Sequence, residues 1–149
     1  MEKAEQFCEL WIQAYPRSGN PHNFLSGAIY PAIGQYEKGV DEGREAVRLN
    51  PVFSPSYVLL LFNYIALSRL DEAKVTYEQA LQHKLNNPFF PAALYQIAFL
   101  QNDAAGMAQQ VARSADEVKH TLLANEADTA AFSGRLRDAR GLSRQPGRQ

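Results

Sequence analysis

Between Ser54 and Leu85 apolar residues recur twice at helical spacing, with a short polar break between the two runs. Ser54 is a good N-cap and Pro55 follows at the first helical position, where a missing N–H costs nothing, so a helix is predicted from Ser54 to about Ser68. Asp71 and Glu72 place negative charge in the first turn of a second helix, whose Ala73, Tyr77, Ala80 and Leu81 share one face. Leu70 closes the corner between them. The stretch is one helical hairpin.

Displacing this hairpin so that Ser54 falls on Asn20, or by the same interval in the other direction, finds relatives on both sides. Upstream, Leu61 falls on Gly27, Tyr64 on Tyr30, Leu70 on Tyr36, Ala73 on Gly39 and Ala80 on Ala46. Downstream, Leu60 falls on Leu94, Leu61 on Tyr95, Tyr64 on Ala98, Ala73 on Met107 and Tyr77 on Val111. Sizes vary, but positions buried in one unit are expected to be buried in the others. Two helices in each period of about 34 residues resemble the tetratricopeptide repeat. The central unit supplies Tyr57-x2-Leu60-Leu61-x2-Tyr64, then Ala73-x3-Tyr77-x2-Ala80, and the upstream unit supplies Gly27, Tyr30, Ala46 and a closing Pro51. Asn23 and Gly43 stand where that pattern usually has large apolar residues. The resemblance implies an all-α fold, a right-handed superhelical solenoid of antiparallel helix hairpins.

In chain order, residues 1–16 read as a half repeat, a second helix whose Ala4, Cys8, Trp11 and Ile12 match Ala73, Tyr77, Ala80 and Leu81. The chain is therefore expected to begin in mid-array, leaving Phe7, Trp11 and Ile12 without a hairpin partner and directing them to self-association in a homodimer. Repeats are predicted at 20–53, 54–87 and 88–118, then a degenerate terminal repeat at 119–144 and a disordered tail at 145–149. The unit at 20–53 opens with Asn20-Pro21 and a helix from His22 to about Ile33, in which Pro31 predicts a kink or an early end. Gly34 makes the corner. The second helix, Gln35 to Leu49, contains Gly39 and Gly43, which cost about 1 kcal/mol each in helix propensity and point to close helix approach. In the unit at 88–118, helices are predicted over Pro91 to Gln101 and Ala104 to about Glu117, with Asn102-Asp103 as the corner and Met107 and Val111 inward.

With 149 residues, 46% of them hydrophobic, and a net charge of −1, the chain has enough apolar material for one extended domain. The last fifteen residues carry five Arg and one Asp, which makes a nucleic-acid contact through the Arg-rich C-terminal helix one alternative function. Aromatic residues that would stack bases are not interleaved with those arginines, which argues against it. The single Cys8 has no disulfide partner, and MEKAEQFCELW is no signal peptide, so a reducing, cytoplasmic location is expected. The run Tyr57 to Phe62 is too short to span a bilayer.

Catalytic constellations are not evident. His22, His83 and His120 fall in separate units without ligands at metal spacing and are expected on the surface. GQYEKGVDEG lacks the phosphate-loop pattern, Asp71-Glu72 and Asp116-Glu117 suit helix starts, and Cys8 reads as a small buried hydrophobe. No metal, cofactor or enzymatic activity is predicted, and an all-α enzyme with an inter-helix site is the other alternative.

What the tetratricopeptide resemblance implies is a concave groove lined by first helices and occupied by a protein or peptide partner. Carried over by position, the groove would present Phe24, Ala28 and Ala32, then Val58, Phe62 and Ala66, then Ala92, Gln96 and Leu100. The wording ELWIQAYPRSGNPHNFLSGAIYPAIGQYEKG, LSRLDEAKVTYEQAL and LYQIAFLQNDAAGMAQQVA further resembles repeat regions C-terminal to bacterial serine/threonine protein kinases. No kinase motif is present in the chain. The expected role is a non-catalytic protein–protein interaction module, a piece of a larger signalling protein that binds an apolar peptide or helix, with another domain of the same longer chain as one candidate partner.

Overall fold

The computed structural model describes residues 1–114. The expectations for the end of the third repeat, the degenerate repeat at 119–144, the tail, His120 and the Arg-rich end lie outside the described residues. Within them every element is helical. The order is α1 (Glu2–Ala14), α2 (Asn20–Phe24), a π-helical turn (Leu25–Ile29), a 3-10 turn (Pro31–Ile33), α3 (Tyr36–Leu49), α4 (Ser54–Ala66), α5 (Leu70–Gln82) and α6 (Phe90–Leu100). A further helix, α7, covers residues 104–114. The first helices of the three hairpins form a row, in which α4 meets the π turn on one side and α6 on the other, while α3 packs against α2, the π turn and α4. This is the tetratricopeptide-like solenoid that the repeat period implies.

The period reappears in the backbone of the corners. Gly34, Ser68 and Asn102 all adopt left-handed conformation, with φ of 72°, 56° and 56°. The next amide donates back into the last turn of the first helix: Gln35 to the Tyr30 carbonyl (2.9 Å), Arg69 to Tyr64 (2.9 Å) and Asp103 to Ala98 (2.8 Å). Each corner thus satisfies a carbonyl that the helix end leaves open. Arg69 then lies 5.1 Å from the Tyr64 ring centre, pairs with Glu72 at 2.6 Å and reaches Glu37 of the preceding hairpin at 2.8 Å.

Pro31 ends the first helix through a change of winding rather than a kink. The Tyr30 amide donates to Leu25 five residues back (3.0 Å), and residue 31 has no amide hydrogen to give. The Ser26 carbonyl therefore lacks both ordinary helical donors. Asn63 of α4 takes their place: its Nδ2 donates to the Ser26 carbonyl (3.0 Å), to Ser26 Oγ (3.2 Å) and to its own Leu59 carbonyl (2.9 Å), while Ser26 Oγ donates to the Gly39 carbonyl (2.8 Å). Both side chains are buried. Gly39 and Gly43 are required by this contact, because a β-carbon at 39 would overlap the Asn63 amide and one at 43 would sit 2.9 Å from Ser26 Oγ.

One period after Gly43 stands Tyr77, whose ring meets Phe90 edge-on at 5.4 Å. Correspondingly, α5 approaches α6 less closely than α3 approaches α4. The inward seam of α5 is Ala73, Thr76 and Ala80, so Leu81, expected inward, lies one residue off the seam and is exposed. Val111 is corrected in the same way: Gln110, one period after Thr76, is buried, and Val111 is exposed. Burial does not repeat at the Leu61 position either, since Leu61 is fully buried while its counterparts Gly27 and Tyr95 are exposed. Neither Ser54 nor Asn20 caps its helix through its side chain. Ser54 is instead the first helical residue, and its Oγ accepts from Asn87 Nδ2 (3.0 Å) of the next hairpin.

Three outcomes are expected. Ser68→Gly removes the cost of a β-carbon in left-handed backbone, about 1 kcal/mol, and should raise the thermal midpoint. Gly39→Ala should lower it despite a better helix propensity, because the Asn63 amide must move; both are read by thermal unfolding under circular dichroism. Hydrogen bonds from Arg69 and Arg48 hold Glu72 and Glu45 below the ordinary carboxylate value of 4.5. Their contribution is then present above pH 4.5 and lost as pH falls below it, so Glu72→Gln should flatten the acid limb of stability measured in urea.

Candidate partner-binding groove

The row of first helices differs in chemistry from the helices behind it. No Asp, Glu, Lys or Arg occurs in residues 20–33, 54–66 or 90–100, whereas α3 alone carries Glu37, Lys38, Asp41, Glu42, Arg44, Glu45 and Arg48. In the middle of the row α4 packs on the π turn on one side and on α6 on the other, while α3 keeps an outer face for water.

Within that row the residues expected in the groove separate into three groups. Val58 is 7% exposed and belongs to the core, so it supports the row from beneath. Phe62 is half-buried, resting on the core with one side toward a notch. Phe24 (50% exposed), Leu100, Ala28, Ala32, Ala66, Ala92 and Gln96 lie on the surface. Two hollows break this surface. One is a notch of about 190 Å³ between the π turn and α4, lined by Gly27, Pro31, Tyr36, Leu59 and Phe62 with Ser26 and Asn63. The other, about 520 Å³, lies between α6 and α7 and is lined by Ala92, Tyr95 and Gln96 facing Gln110 and Val111. Phe62 and Gln96 therefore do not share one hollow.

Sequence reasoning missed Leu59, Pro31 and Gly27 as parts of this surface. Leu59 stands three residues before Phe62 and shares its helix face, a spacing that would have found it. The notch owes its polar rim to the Asn63 and Ser26 hydrogen bonds, which no spacing rule announces.

Elsewhere the titratable groups are structural. His22, expected at the surface, is buried, with Nδ1 2.5 Å from Glu42 Oε2, an acceptor supplied from the second helix of its own hairpin. His83 is exposed, as expected. Cys8 is fully buried beside Leu25, Ile29 and Tyr30, and burial, with Glu42 nearby, pushes its thiol up. The Tyr30 hydroxyl donates to Glu5 (2.8 Å), and burial first, then that bond, raises its phenol far above the ordinary value. Among the described residues no three His, Cys, Asp or Glu side chains converge as for a metal, and no helix is long and apolar enough to cross a membrane.

On α1, Phe7 is 63% exposed and forms with Leu10, Trp11 and Tyr15 an apolar hollow of about 390 Å³. Ile12 is the exception among the residues expected to self-associate. It packs inward on the cluster around Cys8, because it follows Cys8 by four residues on the same face.

No family model matches the chain. A stretch of 92 residues, 60% of the chain, is 28% identical to heat shock protein STI1 of Saccharomyces cerevisiae. It spans 16% of the length of that protein.

If Phe24 belongs to a surface and Val58 to the core, Phe24→Ser should change stability by no more than about 0.5 kcal/mol. Val58→Ser should cost about 1–3 kcal/mol for the buried, unpaired hydroxyl and the lost packing. Urea unfolding of the two variants measures the contrast.

Proposed function

We propose that this chain is a non-catalytic protein–protein interaction module that holds an apolar segment of a partner, most simply an amphipathic helix, along its row of first helices. The observation that carries this reading is the absence of charge from all three first helices beside a surface that still offers Phe24, Phe62 and Leu100. Apolar anchors of this kind supply the affinity of a helix-in-groove contact, and without a charged rim the contact selects for shape and apolar area. The partial similarity to heat shock protein STI1 and the tetratricopeptide-like period support an interaction role over a catalytic one. In a longer signalling protein the alternative occupant is an upstream repeat or another domain of the same chain.

The face of α1 carries a second contact in this reading. Phe7, Leu10 and Trp11 extend the apolar arc of the helix well beyond the side occupied by Cys8 and Ile12, and a soluble monomer rarely leaves such an area open. Two copies joined through α1 would cover it. Sedimentation velocity should show a dimer that Phe7→Glu with Leu10→Glu converts to a monomer; a monomer before any substitution would end this part of the proposal.

Selection from a display library of helical peptides provides the main test. Sequences with an uncharged apolar ridge should be enriched, and Phe62→Glu or Phe24→Glu should weaken their capture at least about tenfold, which corresponds to about 1.4 kcal/mol, with the helical signal intact. Undiminished capture by both variants would exclude the first-helix surface.

A further inference from the structure

We infer that the notch between the π turn and α4 is an anchor subsite for one uncharged apolar side chain of leucine or phenylalanine size, and that Gly27 is the residue that keeps it open. This inference rests on the first-helix reading above and names the point of the groove where specificity is set. The notch measures about 190 Å³. A cavity of about 150 Å³ lined by apolar side chains suffices to hold benzene, so the space accepts a benzyl or isobutyl group. Phe62, Leu59 and Pro31 supply apolar walls. The walls carry no charged side chain, the amide hydrogens of Asn63 and the Ser26 hydroxyl are already committed to one another and to the Leu59, Ser26 and Gly39 carbonyls, and the unpaired Asn63 Oδ1 is buried against Gly39.

Gly27 sets the size of the space. A β-carbon there would lie 2.6 Å from Leu59 Cδ2 and 3.0 Å from Cδ1, so any other residue displaces the Leu59 side chain. The slack available to Leu59 is the notch itself, which it lines. Gly27 is exposed and its α-carbon carries no buried load. A methyl group at 27 therefore closes the subsite without opening the fold. The proline that forces the π turn acts in the same place: it frees the Ser26 carbonyl for Asn63, and that bond holds α4 against the turn so that the two walls stay in register.

The test titrates the amide N-acetyl-leucinamide, with the phenylalanine, tryptophan and lysine analogues, into isotope-labelled chain and follows the Gly27 backbone amide and the Asn63 side-chain amide by NMR. Leucine and phenylalanine probes should give saturable shifts at both positions, and the lysine probe none. Gly27→Ala should weaken the leucine probe about tenfold, the discrimination expected of one methyl group in a hydrophobic pocket. Leu59→Ala enlarges the space and should shift preference toward the tryptophan probe. Absence of saturable shifts, or equal response of the wild type and both variants, overturns the subsite. If selected peptides lose binding on Phe62→Glu yet keep it on Gly27→Ala, the groove stands and the subsite falls; loss on Gly27→Ala with an unchanged thermal midpoint supports both.

Discussion

The hydrogen bond from Asn63 to the Ser26 carbonyl joins two first helices at the point where the backbone of one has lost its own donors. Pro31 cannot donate and Tyr30 donates to Leu25, so without Asn63 a buried carbonyl would stay unpaired at a cost of about 1–3 kcal/mol. Satisfying it brings a polar amide into an otherwise apolar interface. Room for that amide comes from α3, where Gly39 presents bare backbone to Asn63 and Gly43 does the same for Ser26. Three helices are thus held at one short distance by a single polar contact and two missing side chains. The remaining acceptor of Asn63 has no hydrogen-bond partner and lies against Gly39, which leaves no space for a larger residue there.

That contact also explains why successive hairpins are not equivalent. The position of Gly43 is taken by Tyr77 in the next unit, and the ring fills the gap that close approach would have closed. The link between α5 and α6 then needs more chain than the link between α3 and α4, and the third hairpin stands off from the second. Within the third hairpin itself a hollow lies between α6 and α7, with Ala92 and Gln96 in its walls, apart from the notch at Phe62.

Charge is segregated to match. Among the described residues one ion pair joins two hairpins, Arg69 with Glu37, and it runs between a corner and a second helix, where water screens it and its net worth is small. It orients neighbouring units but does not glue them together. Cohesion comes from Tyr57, Leu61, Phe90 and the other buried residues around α4, which leaves the opposite side of the first helices free of charge and available for a partner.

The repeat period, the helical class, the corners at Gly34 and Asn102, and the need for close approach at Gly39 and Gly43 were legible in the chain, because each follows from a local property: periodicity, backbone freedom or the lack of a β-carbon. Outward and inward positions were legible only to within one residue. Leu81 and Val111 fell off their seams because a seam of small residues is narrow and its direction depends on what faces it. The burial of His22 on Glu42, the pairing of Asn63 with Ser26 and the notch beneath Phe62 were decided by the tertiary structure. Each joins residues far apart in the chain. A single chain read along its length carries no signal for such pairings, because they arise only when two helices meet at a particular rotation and leave one donor opposite one acceptor.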